Sequence, residues 1–233
     1  SFFKDIIRLS LECDRLVSFR SKIVPDGVIN IMEVIPMQRT LFDVVQNVFS
    51  VEADSLQAAF SSISPSIFLS VVEALKNAER IAASGCGHSG IACRHFVHLM
   101  CCIERPARFI SPSEGLHGAL GYLQAGDVIL LASRGGETTE LLEMLDVCKK
   151  KKILTIVITQ NMDSVFAKEA SIALGMQFGH EVDRYHSQGT TSFTVLSVLF
   201  DALQCALIEE MDFQQERFAL NHPGGAVGAR LNR

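Results

Sequence analysis

The apolar positions of this chain change period along its length, and the change divides it. From Met37 to Ala59, Leu41, Val44, Val45, Val48, Phe49 and Leu56, with Phe60 just beyond, recur at spacings of three and four, which predicts an amphipathic helix. Ser64, Pro65 and Ser66 then supply a start signal for a second helix over 67–78. From Ile81 onward, short and largely apolar runs at 81–83, 107–110, 127–132, 153–159 and 172–174 alternate with helical segments at 91–103, 139–148 and 164–170. Unbroken rather than alternating strands are what a parallel sheet covered on both faces requires. The pattern predicts about five parallel strands with right-handed crossovers, a doubly wound α/β/α sandwich.

The two ends read differently. Phe3, Ile6, Ile7, Leu9, Leu11 and Leu16 follow a near-helical period over 2–20, punctuated by Pro25, Asp26 and Gly27. The short apolar run 28–35, closed by Pro36, fits a strand or a helical turn. The expected division is thus a helical appendage over 1–36 and one α/β domain over 37–233. The longest apolar run, 191–208, carries Asp201 and Gln204, which would be costly in lipid but suit a helix packed on a sheet.

Composition narrows the function classes. At 233 residues and 48% apolar content the chain can fill a substantial core. A net charge of −5, with both signs dispersed, leaves no electrostatic footprint for nucleic acid, and no segment suggests a membrane partner. Seven cysteines form no CxxC pair, so neither a disulfide framework nor a metal site is expected. The N-terminal stretch mixes Lys4, Asp5 and Arg8 into its apolar positions and lacks the form of a cleavable signal, so a cytoplasmic setting with reduced thiols is the simpler expectation.

The chemistry concentrates in two glycine-rich turns. Residues 85–90 read GCGHSG after the first strand of the sheet and open a helix. Residues 133–138 read SRGGET after the third strand and open another. Glycines at a helix start expose backbone N–H groups that can hold an anion. In a flavodoxin-like strand order of 2-1-3-4-5, these two turns flank the switch point where ligands of open sheets bind. The spacing Gly85, Gly87, Gly90 also satisfies GxGxxG, so an NAD-dependent dehydrogenase is one alternative. That reading expects an acid at the end of the next strand, where this chain has Phe109, Ile110 and Ser111, and it leaves SRGGET unused.

GCGHSG, PSEGLHGALG at 112–121, SRGGET, and HPGGAVGARL at 222–231 together resemble the SIS (sugar isomerase) domain of the arabinose-5-phosphate isomerase family. The match in order and spacing runs from Val51 to Leu231 and is closest to short members without CBS domains. The resemblance implies a five-stranded α/β/α sandwich, tetrameric assembly, no cofactor, and interconversion of an aldose phosphate with a ketose phosphate through an enediol. By resemblance, Ser89, Ser133 and Thr138 hold the phosphate beside Gly87, while His117, Glu137 and His222 face the sugar, His222 reaching a neighbouring subunit's site. Glu181 is the nearest match to a further acid. Where the family's first turn carries lysine this chain has His88, and where its second carries Asn and Ser it has Arg134 and Gly135. Arg134 is expected to restore the lost positive charge, since a guanidinium can bind phosphate bidentately. The rival from another class is a non-catalytic sugar-phosphate sensor, for which the missing lysine would argue.

Overall fold

A computed structural model describes residues 15–24, 27–36 and 40–231. The chain divides into two compact units, residues 1–50 and 51–233, the boundary falling inside a helix. In the first, β1 (Arg15–Val24) and β2 (Gly27–Pro36) pair antiparallel, Arg15 opposite Pro36 and Val24 opposite Gly27. The helix expected to continue to residue 20 is therefore a strand from Arg15, and the ambiguous run 28–35 is a strand too. Val17, Phe19, Ile23, Val28, Ile29, Ile31 and Val34 favour a pleated conformation, and Pro25-Asp26-Gly27 is hairpin-turn chemistry rather than helix punctuation. The residues that carried most of the helical period, 1–14, lie outside the described ones. α1 (Leu41–Ser62) begins in this unit and ends in the next.

The second unit continues through α2 (Pro65–Asn77), β3 (Ile81–Gly85), α3 (Gly87–Cys102), β4 (Ala107–Phe109), α4 (Pro112–Leu116), a 3-10 turn (Ala119–Tyr122), β5 (Val128–Ala132) and α5 (Thr139–Lys150). It closes with β6 (Leu154–Thr159), α6 (Val165–Lys168), β7 (Ile172–Gly175), α7 (Thr191–Glu210), α8 (Gln215–Asn221) and α9 (Gly225–Leu231). The sheet order is β4-β3-β5-β6-β7 with every pairing parallel, which is the expected 2-1-3-4-5.

The apolar runs are unbroken because alternate residues of each strand enter different cores. Ile81, Ala83, Val128, Leu130, Ile156 and Ile158 face a cluster built with Leu75, Phe96, Met100, Leu196, Phe200 and Leu203. Ala82, Ile129, Leu131 and Val157 face the other, with Leu141, Met144, Leu145 and Phe166. α7 is the one unbroken described helix long and apolar enough to cross a membrane, but Val195, Leu196, Leu199, Phe200, Leu203 and Leu207 are buried in the first core. Its polar residues are directed at α3: Asp201 Oδ1 lies 3.2 Å from His95 Nε2, and Gln204 donates to the Leu99 carbonyl at 2.9 Å. Lys149 and Lys150, which end α5, are exposed, with Lys150 paired to Asp146 at 2.6 Å, while Lys151 turns back to donate to the carbonyls of Leu120 and Leu123.

Candidate functional site

The carboxyl ends of β3 and β5 are where the two glycine-rich turns leave the sheet. Gly85 and Ala132 are Cα partners in the parallel register, so Cys86 and Ser133 step out of adjacent strands at the same level. Adjacent strands are about 4.8 Å apart, which places both turns within reach of one small anion.

The first turn is closed by backbone contact. A Cβ on Gly90 would stand 2.4 Å from the Gly85 carbonyl oxygen, and one on Gly85 would meet the Ser89 carbonyl carbon at 2.9 Å. Gly87 has φ +52°. The turn thus passes straight into α3, whose first N–H groups have no partner within the helix and open beside Ser89. Gly85, Cys86, Gly87, Gly90, Ile91 and Arg94 line one side of a cleft of about 440 Å³, with Phe109, Ser111, Pro112, Ser113 and Glu140 on the other.

Side chains close the second turn. Ser133 Oγ lies 2.9 Å from Thr138 Oγ1 and accepts from the Gly136 N–H at 3.2 Å. Gly136 has φ +69°, and a Cβ there would stand 2.4 Å from Ser164 Oγ. The turn is anchored to β6, since the Ser133 N–H donates to the Ile158 carbonyl at 3.1 Å and the Arg134 carbonyl accepts from the Gln160 N–H at 3.0 Å.

A third segment joins them. Glu181 is buried and accepts from Arg134 Nη1 at 2.6 Å, from Thr190 Oγ1 at 3.1 Å and from the Ser192 N–H at 3.1 Å. Burial alone would raise its pKa, but the hydrogen bonds from Ser192, Arg134 and Thr190 together outweigh it and hold the carboxyl below the ordinary value. The same segment meets the first turn: a Cβ on Gly189 would stand 2.7 Å from His88 Cγ, and the His88 ring sits edge-on to Phe193 with centroids 6.2 Å apart. Arg134 and His88 are therefore both tied to residues 181–193.

The ten site residues singled out in the sequence fall into three groups. Ser133 and Thr138 touch directly, as do Arg134 and Glu181, and the turn bearing Gly87, His88 and Ser89 lies alongside. Glu137 is exposed at the second turn, and His117 is exposed at the C-terminal cap of α4, whose other end enters the cleft. His222 is elsewhere: its Nε2 lies 3.5 Å from Cys102 Sγ, at the far end of the 16-residue α3. At 1.5 Å per residue that is roughly 22 Å from the first turn. Three residues were not singled out in the sequence. Thr190 and Ser192 hold Glu181, and Glu140 lines the cleft from the first turn of α5. Glu140 carried a signal, as it stands three residues past Glu137 on a helix start.

The SIS domain model matches residues 74–206. The chain belongs to the SIS family. It is 33% identical over 186 residues to arabinose 5-phosphate isomerase KdsD of Pseudomonas aeruginosa, covering 80% of this chain and 57% of that protein. To KdsD of Yersinia pestis it is 38% identical over 153 residues, 65% of this chain and 46% of that one. The chain thus spans about half the length of these curated relatives. Among solved structures, an E. coli CFT073 protein in complex with arabinose 5-phosphate superposes with TM-score 0.74 at 28% identity, covering 78% of this chain and 97% of that one. These likenesses establish the α/β/α fold with SIS phosphosugar isomerases as its structural neighbours.

Proposed function

We propose that this chain is an aldose–ketose phosphosugar isomerase acting on a pentose phosphate of the arabinose 5-phosphate/ribulose 5-phosphate kind. The observation that carries the reading is the matched register of Gly85 and Ala132, which puts an N–H-lined turn and a hydroxyl-lined turn side by side at the switch point. Ser89, Ser133 and Thr138 with the α3 N–H groups take the phosphate. The relatives named isomerases and the neighbour bound to arabinose 5-phosphate supply the sugar.

Isomerisation moves a proton between adjacent carbons through an enediol and needs a base and a donor at the oxygens. Glu137, exposed in the second turn, and His117, exposed at the end of the short helix whose start lines the cleft, are the candidates for these roles. Glu181, held ionised and gripped by three donors, fixes Arg134 and the 190–192 backbone, and so orders the second turn. His222 lies too far along α3 to serve its own chain's site and acts in that of a neighbouring copy. Assembly, as the family's tetramers suggest, is supported by an apolar groove between α1 and α7, where Phe60 and Val198 stay exposed beside Leu56, Val195 and Leu199. A cytoplasmic setting is supported by free thiols at all six described cysteines.

One observation favours a non-catalytic sensor instead. His88 stands where the family lysine would, and its ring is packed on Gly189 and Phe193. Screening aldose and ketose phosphates by thermal shift, then assaying each binder for interconversion, separates the two. The isomerase reading expects turnover that His222→Gln abolishes while binding persists. Binding without turnover in the unaltered chain would establish the sensor.

A further inference from the structure

The segment 181–192, which carries Glu181 with its partners Thr190 and Ser192, is also held from outside the two turns. Thr191 Oγ1 donates to Glu52 Oε1 at 3.0 Å, across 139 residues of sequence. Glu52 lies on α1, and Thr191 is the fully buried first residue of α7. The sugar-phosphate groups named so far do not include Glu52.

The two threonines form a matched pair. The Val182 N–H is shared between Thr190 Oγ1 at 3.2 Å and Thr191 Oγ1 at 3.1 Å. A hydroxyl has one proton to give, and each threonine gives its own to a carboxylate, Thr190 to Glu181 and Thr191 to Glu52. Both hydroxyls are thereby turned with lone pairs toward the Val182 amide, the residue after Glu181. The chain of bonds then runs on to the two turns, since Glu181 accepts from Arg134 of the second and Gly189 packs on His88 of the first. The other oxygen of Glu52, Oε2, is buried and has no hydrogen-bond partner among the described residues. Burying an unpaired carboxylate oxygen is unfavourable, so a carboxylate here gains little stability by itself. What it supplies over a neutral acceptor is a charge-assisted bond that fixes where the Thr191 proton points.

We infer that Glu52 is a positioning residue for the sugar-phosphate site: through Thr191 it sets the Val182 amide and, beyond it, the Glu181–Arg134 pair that orders the turn 133–138. Without Glu52 the Thr191 hydroxyl is free to rotate and the Val182 N–H keeps one fixed acceptor. The segment bearing Glu181 and Gly189 then loosens against both turns. The turn reached in this way holds the phosphate rather than the reacting carbons, so the effect falls on binding and not on proton transfer. The inference rests on the proposed function for what the site binds, whereas the coupling from Glu52 to Val182 stands apart from it.

Arabinose 5-phosphate is the probe, its affinity measured by calorimetry and kcat and KM by interconversion with ribulose 5-phosphate, beside amide exchange at Val182 followed by NMR. Glu52→Ala is expected to weaken binding and raise KM by roughly tenfold or more, with kcat changed less than about threefold, as for a small misplacement transmitted to a binding group. The Val182 amide should exchange faster in the same variant. Glu52→Gln, which keeps an acceptor for Thr191, recovers most of the affinity. Arg134→Ala added to Glu52→Ala gives less than the product of the two single losses, because both act on one chain of bonds. Native affinity in Glu52→Ala overturns the inference, as does a Val182 amide that exchanges no faster. If that variant does not fold, Thr191→Val removes the linking hydroxyl, and native affinity there overturns it equally. An unaltered chain that binds no arabinose 5-phosphate defeats the sugar-phosphate reading instead, and Val182 exchange in Glu52→Ala then decides the coupling by itself.

Discussion

The two turns at the switch point are closed by different means. The turn 85–90 is closed by main chain against main chain, with no room for a Cβ at Gly85 or Gly90. The turn 133–138 is closed by hydroxyls, Ser133 to Thr138 and to the Gly136 N–H, and by an arginine reaching to Glu181. A backbone closure is rigid and tolerates no substitution. A hydroxyl closure keeps its bonding groups exchangeable, since Ser133 and Thr138 can trade their mutual hydrogen bond for one to a phosphate oxygen. On the proposed function, the first turn would set the shape of the cup and the second what it holds.

The largest effect should follow from breaking the rigid side. Gly90→Ala drives a methyl to 2.4 Å from the Gly85 carbonyl oxygen, which neither main chain can yield without moving β3 or α3. Overpacking costs about 1–3 kcal/mol, and main chain on both sides puts this case at the upper end. Urea denaturation should report that loss, together with loss of sugar-phosphate binding. A variant with wild-type midpoint would mean the turn is looser than its geometry.

How far this contrast was legible in the sequence follows from the range of the interactions. GCGHSG is local: three glycines in six residues before a helical period predict the turn, the helix start and the strand before it. The strand order was legible only through the flavodoxin-like arrangement that such an alternation adopts, which the sheet follows. Non-local partners were not legible. The Arg134–Glu181 pair spans 47 residues, the fit of His88 against Gly189 spans about a hundred, and His222 meets Cys102 across 120. The expectation that Arg134 takes over the lysine's charge was reasonable from a turn alone, but a buried carboxylate 2.6 Å from its guanidinium already offsets that charge. At the N-terminus the error was one of period, since a helical pattern in 2–16 was extended into β-branched sequence that pairs as a hairpin.

The Arg134–Glu181 bond gives the next effect in size and a pH signature. Glu181 has its folded pKa lowered, so its contribution to stability is complete above the unfolded value near 4.5 and is lost as pH falls through the folded one. Arg134→Ala removes one of the hydrogen bonds opposing burial, so the folded pKa rises. The acid limb of the stability curve moves to higher pH. At neutral pH the loss should be about 1.5 kcal/mol, the low end for a hydrogen bond to a charged group, because the guanidinium is 44% exposed and screened by solvent. Thermal melts between pH 3 and 7 test the sign: an acid limb that stays in place in the variant would show that Thr190 and Ser192 alone hold the carboxylate.

The smallest stability effect should come from the exchangeable closure, and it sharpens the comparison most. Ser133→Ala deletes a hydroxyl that bonds Thr138 and the Gly136 N–H, while Gly136 stays wedged against Ser164 and the Ser133 N–H stays on Ile158. The turn therefore keeps its path, and the cost is about 1 kcal/mol, that of one or two partly buried neutral hydrogen bonds. Affinity for a sugar phosphate should fall much further, by tenfold or more, because the lost hydroxyl would otherwise bond a charged oxygen. Measured together by urea denaturation and calorimetric titration, the two losses separate support from recognition. If affinity falls no further than stability predicts, the second turn is scaffold like the first, and the phosphate rests on the α3 N–H groups.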